Sequence, residues 1–130
     1  MEAQLLMLDN VHMVQMEDGT KALQLGRVLN TLTVETLPFV SKLSFFVKLQ
    51  NIQSDEMINI GINVYDEEDL VAYTGKMHVY NQRQKDQVPG VDTWADLSIT
   101  MTMAGYYKAI LFVEDRATAM YSYNVRVKDI

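Results

Sequence analysis

Apolar and polar residues alternate along most of this chain. From Lys42 to Gln50, Leu43, Phe45, Val47 and Leu49 fall on one side of an extended backbone, and Ser44, Phe46, Lys48 and Gln50 on the other. A strand points successive side chains to opposite faces, so the rhythm predicts a strand with one buried face. Ile58, Ile60, Ile62 and Val64 then alternate with Asn59, Gly61, Asn63 and Tyr65. The polar stretch 51–56 between the two segments predicts a turn, and the pair reads as an antiparallel hairpin with one wet face.

The same period continues. Val71, Tyr73, Met77 and Val79 share an expected inner face with Gly75, whose missing side chain suggests a bulge or a close approach. Residues 81–93 are polar, contain Pro89-Gly90 and form the longest predicted connection. Ala95, Leu97, Ile99 and Met101 resume the inner phase against Asp96, Ser98, Thr100 and Thr102. Tyr107, Ala109, Leu111 and Val113 follow, then Tyr121, Tyr123, Val125 and Val127. Residues 3–9 and 12–16 read as one strand or a broken pair. Gly19 marks a turn, and 21–35 reads as a strand interrupted near Gly26. Pro38 cannot donate to a ladder and marks a crossing between sheets or an edge. No stretch shows a helical apolar period. The expectation is an all-β single domain over 1–130: an antiparallel two-sheet β-sandwich of immunoglobulin-like or jelly-roll type with roughly seven to nine strands, a closed barrel being the alternative.

Composition narrows the chemistry. Seventeen acids against eleven bases leave a net charge of −6, and the basic residues are scattered, so binding to DNA or RNA is not expected. With no cysteine, disulfides and thiolate metal sites are excluded. The start MEAQLLMLDN lacks the cationic residues of a secretory signal, and its apolar run is too short for a membrane span, so a cytoplasmic protein is expected. Among the nine methionines, Met101 and Met103 read as core filler, and Met57 and Met120 as rim residues that begin strands.

Candidate reactive groups are sparse. His12 and His78 stand alone, His78 on the wet side of its strand with Thr74, Lys76 and Tyr80. Ser44, Ser98 and Ser122 sit in the polar phase of strands, outside any nucleophile elbow. Asp66, Glu67, Glu68 and Asp69 are contiguous, whereas calcium loops space their ligands on alternate residues. A solvated acidic turn is expected there. No catalytic residue, cofactor or metal is predicted, and the chain reads as a non-enzyme.

Two other features point to binding. Phe46, Tyr65, Ile110 and Phe112 fall in the outward phase, and neighbouring strands would join them into an apolar interaction face. The competing expectation is that the chain after Thr31 folds over that face. An open face suits an unknown protein partner or a homo-oligomer, since one surface can serve both copies. The second feature is the 81–94 loop, where Arg83 and Lys85 would meet an anion and Trp94 would stack on a ring. That reading makes the chain a small-ligand binder, such as a phage-encoded sequestering or anti-defence protein.

The order of landmarks carries a resemblance. "LLMLDNV" with Asp9, a glycine turn and "KALQLGRV", Pro38, "SFFVKL", "INVYDEEDLVAY" and "AGYYKAILFVED" together resemble an uncharacterised family of small bacterial and phage proteins built as single β-sandwich domains. The likeness spans nearly the whole chain and departs where that pattern has a proline before the late glycine; here Ala104 precedes Gly105. The "GYY" step resembles a tyrosine corner, in which Tyr106 or Tyr107 would bond its hydroxyl to nearby backbone. The resemblance implies architecture and brings no reaction, cofactor or ligand.

Overall fold

The computed structural model describes residues 1–53, 55–67 and 69–129. Glu68 of the acidic turn and Ser54 of the polar turn therefore lie outside the described residues. The regular elements are strands: β1 (Glu2–Leu8), β2 (Val11–Gln15), β3 (Lys21–Leu25), β4 (Thr31–Val34), β5 (Phe39–Gln50), β6 (Met57–Tyr65), β7 (Leu70–Tyr73), β8 (Met77–Tyr80), β9 (Gly90–Met101), β10 (Gly105–Val113) and β11 (Arg116–Val127). They exceed the expected number because two predicted strands are broken. Residues 21–35 divide around an isolated bridge from Leu8 to Val28, and residues 70–80 divide at Gly75, whose φ is +74°.

Two sheets share one core. The first runs β1-β5-β9, and the second runs β4-β11-β10-β6-β7 with β8 also pairing β6. Phe45, Val47 and Leu49 from the first sheet and Ile60, Ile62, Val64, Ala109 and Leu111 from the second lie in one buried cluster. The alternating phases of these strands aim their apolar side chains there, as period-two segments do. Removing that much apolar surface from water is the main stabilising term of the fold.

The expected β5–β6 hairpin does not form. β5 pairs with β1 and β9, whereas β6 pairs with β10, β7 and β8. Segment 51–56 instead carries the chain from one sheet to the other. Ile52 is buried, and the backbone N–H of Asn51 donates to the Pro89 carbonyl at 2.8 Å. A polar turn between two alternating strands is compatible with either connection, and only packing decides between them. Pro38 lies where the chain leaves β4 in the second sheet for β5 in the first, one of its two expected places. β4 runs parallel to β11, the one parallel pairing among the described strands.

Several side chains differ from their expected place, among them Val127, expected inward but exposed where β11 ends. Tyr73 points outward, because the β6–β7 pairing shifts register between Val64 and Tyr65 and puts Val71 and Ala72 against the core. Met103 is exposed beyond the end of β9, although Met101 is buried as expected. Met120 sits within β11 on the outer face and does not begin a strand. Met57 does open β6 and is exposed.

Candidate functional site

One end of the first sheet's outer face is covered, while Val40, Lys42, Ser98 and Thr100 at the other end are exposed. Leu6, Phe46 and Trp94 form one rung across β1, β5 and β9. Phe46 is only 7% exposed and joins Leu8 and Val11 in a second small core, with Leu6, Leu23 and Trp94 packed against it. The cover is the β2–β3 hairpin, which supplies Val11 and Leu23, and not the chain after Thr31. Phe46 is thus removed from the expected interaction face, and it belongs to the opposite sheet from the other three candidates.

A clamp fastens the hairpin at its base. The Asp9 carboxylate accepts the backbone N–H of Arg27 and the Arg27 Nε–H, both at 2.7 Å. These Arg27 hydrogen bonds hold the Asp9 carboxyl below its usual pKa. Gly26 makes room for the arrangement: a Cβ there would collide with the Asp9 carboxylate and approach the Asn10 carbonyl to 2.9 Å.

The outer face of the second sheet has no such cover among the described residues. Pairing places Tyr73, Asn63, Ile110 and Met120 in one rung across β7, β6, β10 and β11. The next rung is Leu70, Tyr65, Lys108 and Ser122, and Phe112 stands beside Gly61 on the other flank. Tyr65, Ile110 and Phe112 are half-buried, while Leu70, Tyr73 and Met120 are exposed. Three of the four expected face residues are therefore brought together. Sequence reading missed Leu70, Tyr73 and Met120, which the register shift and the β10–β11 pairing place there.

At one end of this face lies an open groove of about 310 Å³, lined by Asn59, Gly61, Asn63, Lys76, Phe112 and Asp115 among others. Lys76 Nζ stands 3.7 Å from an Asp115 carboxylate oxygen across its rim. Glu114 and Asp115 form the tight β10–β11 turn with φ of +49° and +64°. The Glu114 carboxylate accepts the Asn59 N–H at 2.8 Å, which ties the turn to β6.

The 81–94 loop is organised differently from the expected anion site. Arg83 Nη2 and Lys48 Nζ both reach one oxygen of Asp92, at 3.1 and 3.2 Å. The loop's guanidinium is matched by a carboxylate of the chain itself. Trp94 packs beneath the hairpin, and Lys85 is exposed on the turn. The three candidates do not converge on a common point.

The acidic turn is partly inward. Asp66 is buried, and one of its carboxylate oxygens accepts the Asp69 N–H at 2.8 Å, while Glu67 and Asp69 are exposed. Nearby, the Tyr107 hydroxyl donates to the Met103 carbonyl at 2.8 Å, whereas Tyr106 is exposed, so Tyr107 makes the expected corner bond. Burial raises the Tyr107 pKa, with Asp66 adding to the rise. His12 and His78 are both exposed.

No protein-family model and no curated protein matches this sequence. Solved structures resemble it in shape. The CARDB domain of the PF1109 protein from Pyrococcus furiosus, determined with di-metal ions, has 13% identity and a TM-score of 0.47 over 98% of this chain and 96% of that one. A β-glucosidase from Listeria innocua in complex with glucose has 10% identity and a TM-score of 0.52. That match covers 96% of this chain but only 16% of the β-glucosidase. These likenesses concern the all-β fold alone. No helix among the described residues is long and apolar enough to cross a membrane.

Proposed function

We propose that the chain is a non-enzymatic protein-interaction module, an immunoglobulin-like two-sheet sandwich that seats a protein partner on the outer face of its second sheet. The observation that carries this reading is the contrast between the two outer faces. The first sheet's apolar rung, Leu6, Phe46 and Trp94, is closed by a hairpin of the same chain. The second sheet's rung, where Ile110 and Met120 are adjacent and Asn63 stands between them and Tyr73, has no equivalent cover among the described residues, and Met120 and Tyr73 are 59% and 64% exposed. Contiguous apolar surface rimmed by polar groups is the usual mark of an association site. Aromatic side chains present large contact area at modest entropic cost, and methionine adapts its shape to what it meets.

The test uses the native chain immobilised beside two face variants, Ile110→Glu and Met120→Glu, and a control on the other sheet, Ser98→Glu. A protein partner should be retained by the native chain and the control and released by both face variants. Retention that ignores Ile110 and Met120 overturns the reading. The loop alternative has less support, since Arg83 is already engaged by Asp92.

A further inference from the structure

We infer that the partner presents an acidic, amphipathic segment: an apolar stripe flanked by carboxylates. The inference rests on the interaction reading above and adds the chemistry of what binds. Its basis is the charge of the face. The chain carries a net charge of −6. Yet the outward positions of β4, β6, β7, β10 and β11 hold Lys108 and Arg126 and no aspartate or glutamate. Acids stand at the strand ends: Asp66, Glu67 and Asp69 after β6, Glu114 and Asp115 between β10 and β11, Glu35 after β4 and Asp129 after β11; Asp115 faces Lys76. Lys108 is exposed between Tyr65 and Ser122, and no described carboxylate lies within ion-pair distance of it. Arg126 is exposed and, among the described residues, donates to the Thr33 hydroxyl at 3.0 Å.

An apolar rung with Lys108 on the next rung, and Arg126 six residues beyond Met120 along β11, selects its partner by complementarity on an acidic molecule. Carboxylates on the partner gain from Lys108 and Arg126, while basic segments lose against them. A second copy stacked face to face would bring no strand carboxylate to Lys108 or Arg126, so isologous pairing through this face gains nothing from the two cations. Two cations are too few for a phosphate backbone, whose binding draws on many neutralised phosphates. An anionic bilayer would meet the same two cations and repel the rest of the acidic chain. A protein segment remains, with Leu or Phe side chains against Ile110 and Met120.

Two model peptides test this, sharing one Leu/Phe stripe on a helical repeat, one flanked by glutamates and the other by lysines. Their binding to the native chain is followed by fluorescence anisotropy. The glutamate peptide should bind at least roughly tenfold more tightly at about 0.15 M ionic strength, and the gap should close near 1 M, where the screening length falls from about 8 to about 3 Å. Lys108→Glu with Arg126→Glu should reverse the preference. Equal binding, a preference for the lysine peptide, no binding of the glutamate peptide, or adsorption of the chain to phosphatidylserine vesicles in its place would each overturn the inference. Ile110→Glu and Met120→Glu separate the two levels. If both peptides bind alike but depend on these residues, the charge assignment fails and the interaction face stands. If neither substitution matters, both fail.

Discussion

Asp9 holds Arg27 by both its backbone N–H and its side-chain Nε, each at 2.7 Å, and so pins the hairpin that separates them over the first sheet. The two residues flank β2 and β3, and the hairpin they close shields Phe46 and Trp94. The clamp therefore belongs to the covered face, and its loss would expose an apolar surface that the fold otherwise hides.

Acidification should loosen this clamp. The Asp9 carboxyl is held below its ordinary pKa in the folded chain by Arg27. A depressed pKa contributes stability above the unfolded value near 3.9, which is lost as pH falls through the lower folded value. Trp94 is the single tryptophan and lies under the hairpin. Its emission should shift to the red below about pH 4 in the native chain. Asp9→Asn should produce a shifted emission already at neutral pH, and Gly26→Ala should do the same by crowding Asp9.

Two stacked tyrosines should respond in opposite ways to loss of the hydroxyl. Tyr107 and Tyr123 have ring centroids 5.5 Å apart, but only Tyr107 has a hydroxyl partner, the Met103 carbonyl. The Tyr123 hydroxyl is buried with no hydrogen-bond partner. Tyr107→Phe should lower the urea-unfolding free energy by about 1 kcal/mol, whereas Tyr123→Phe should be neutral or stabilising by up to about 1 kcal/mol. Burial raises the pKa of both, so the folded chain disfavours their ionisation. Stability should fall as pH rises above about 10, where the unfolded chain ionises first. Tyr123→Phe should reduce that alkaline loss.

Phe46 and Phe112 look equivalent in the alternation and should differ sharply on truncation. Phe46→Ala empties the small core under the hairpin and should cost about 3 kcal/mol in a denaturant melt. Phe112→Ala removes a half-buried ring from an open face and should cost about 1 kcal/mol or less. A similar cost at both positions would mean that the outer face of the second sheet is covered after all.

The β10–β11 turn is open to stabilisation. Asp115 holds φ of +64° without being glycine, and its 3.7 Å contact with Lys76 is between exposed groups. Relief of a left-handed conformation should outweigh an exposed ion pair of little value. Asp115→Gly should raise stability by about 0.5–1 kcal/mol in thermal and urea melts. Glu114→Gly should gain less, because the Glu114 carboxylate accepts the Asn59 N–H.

The alternation of side chains was enough to establish an all-β chain and most of its core. Leu43, Phe45, Val47 and Leu49, like Ile60, Ile62 and Val64, are buried as their phase requires, because the pleat leaves a strand residue only two directions. The tyrosine corner was legible too, from local spacing, and tertiary contacts only chose Tyr107 over Tyr106. What alternation cannot encode is which strands become neighbours. It could not tell that β5 and β6 lie in opposite sheets, nor that a register shift turns Tyr73 outward. The same limit governs the candidate face. Phe46, Tyr65, Ile110 and Phe112 share an outward phase, yet a long-range hairpin buries the first and strand order gathers the other three. Phase is a property of each strand, whereas cover and contiguity arise from contacts between residues distant in the chain, and those exist only once the sheets are assembled.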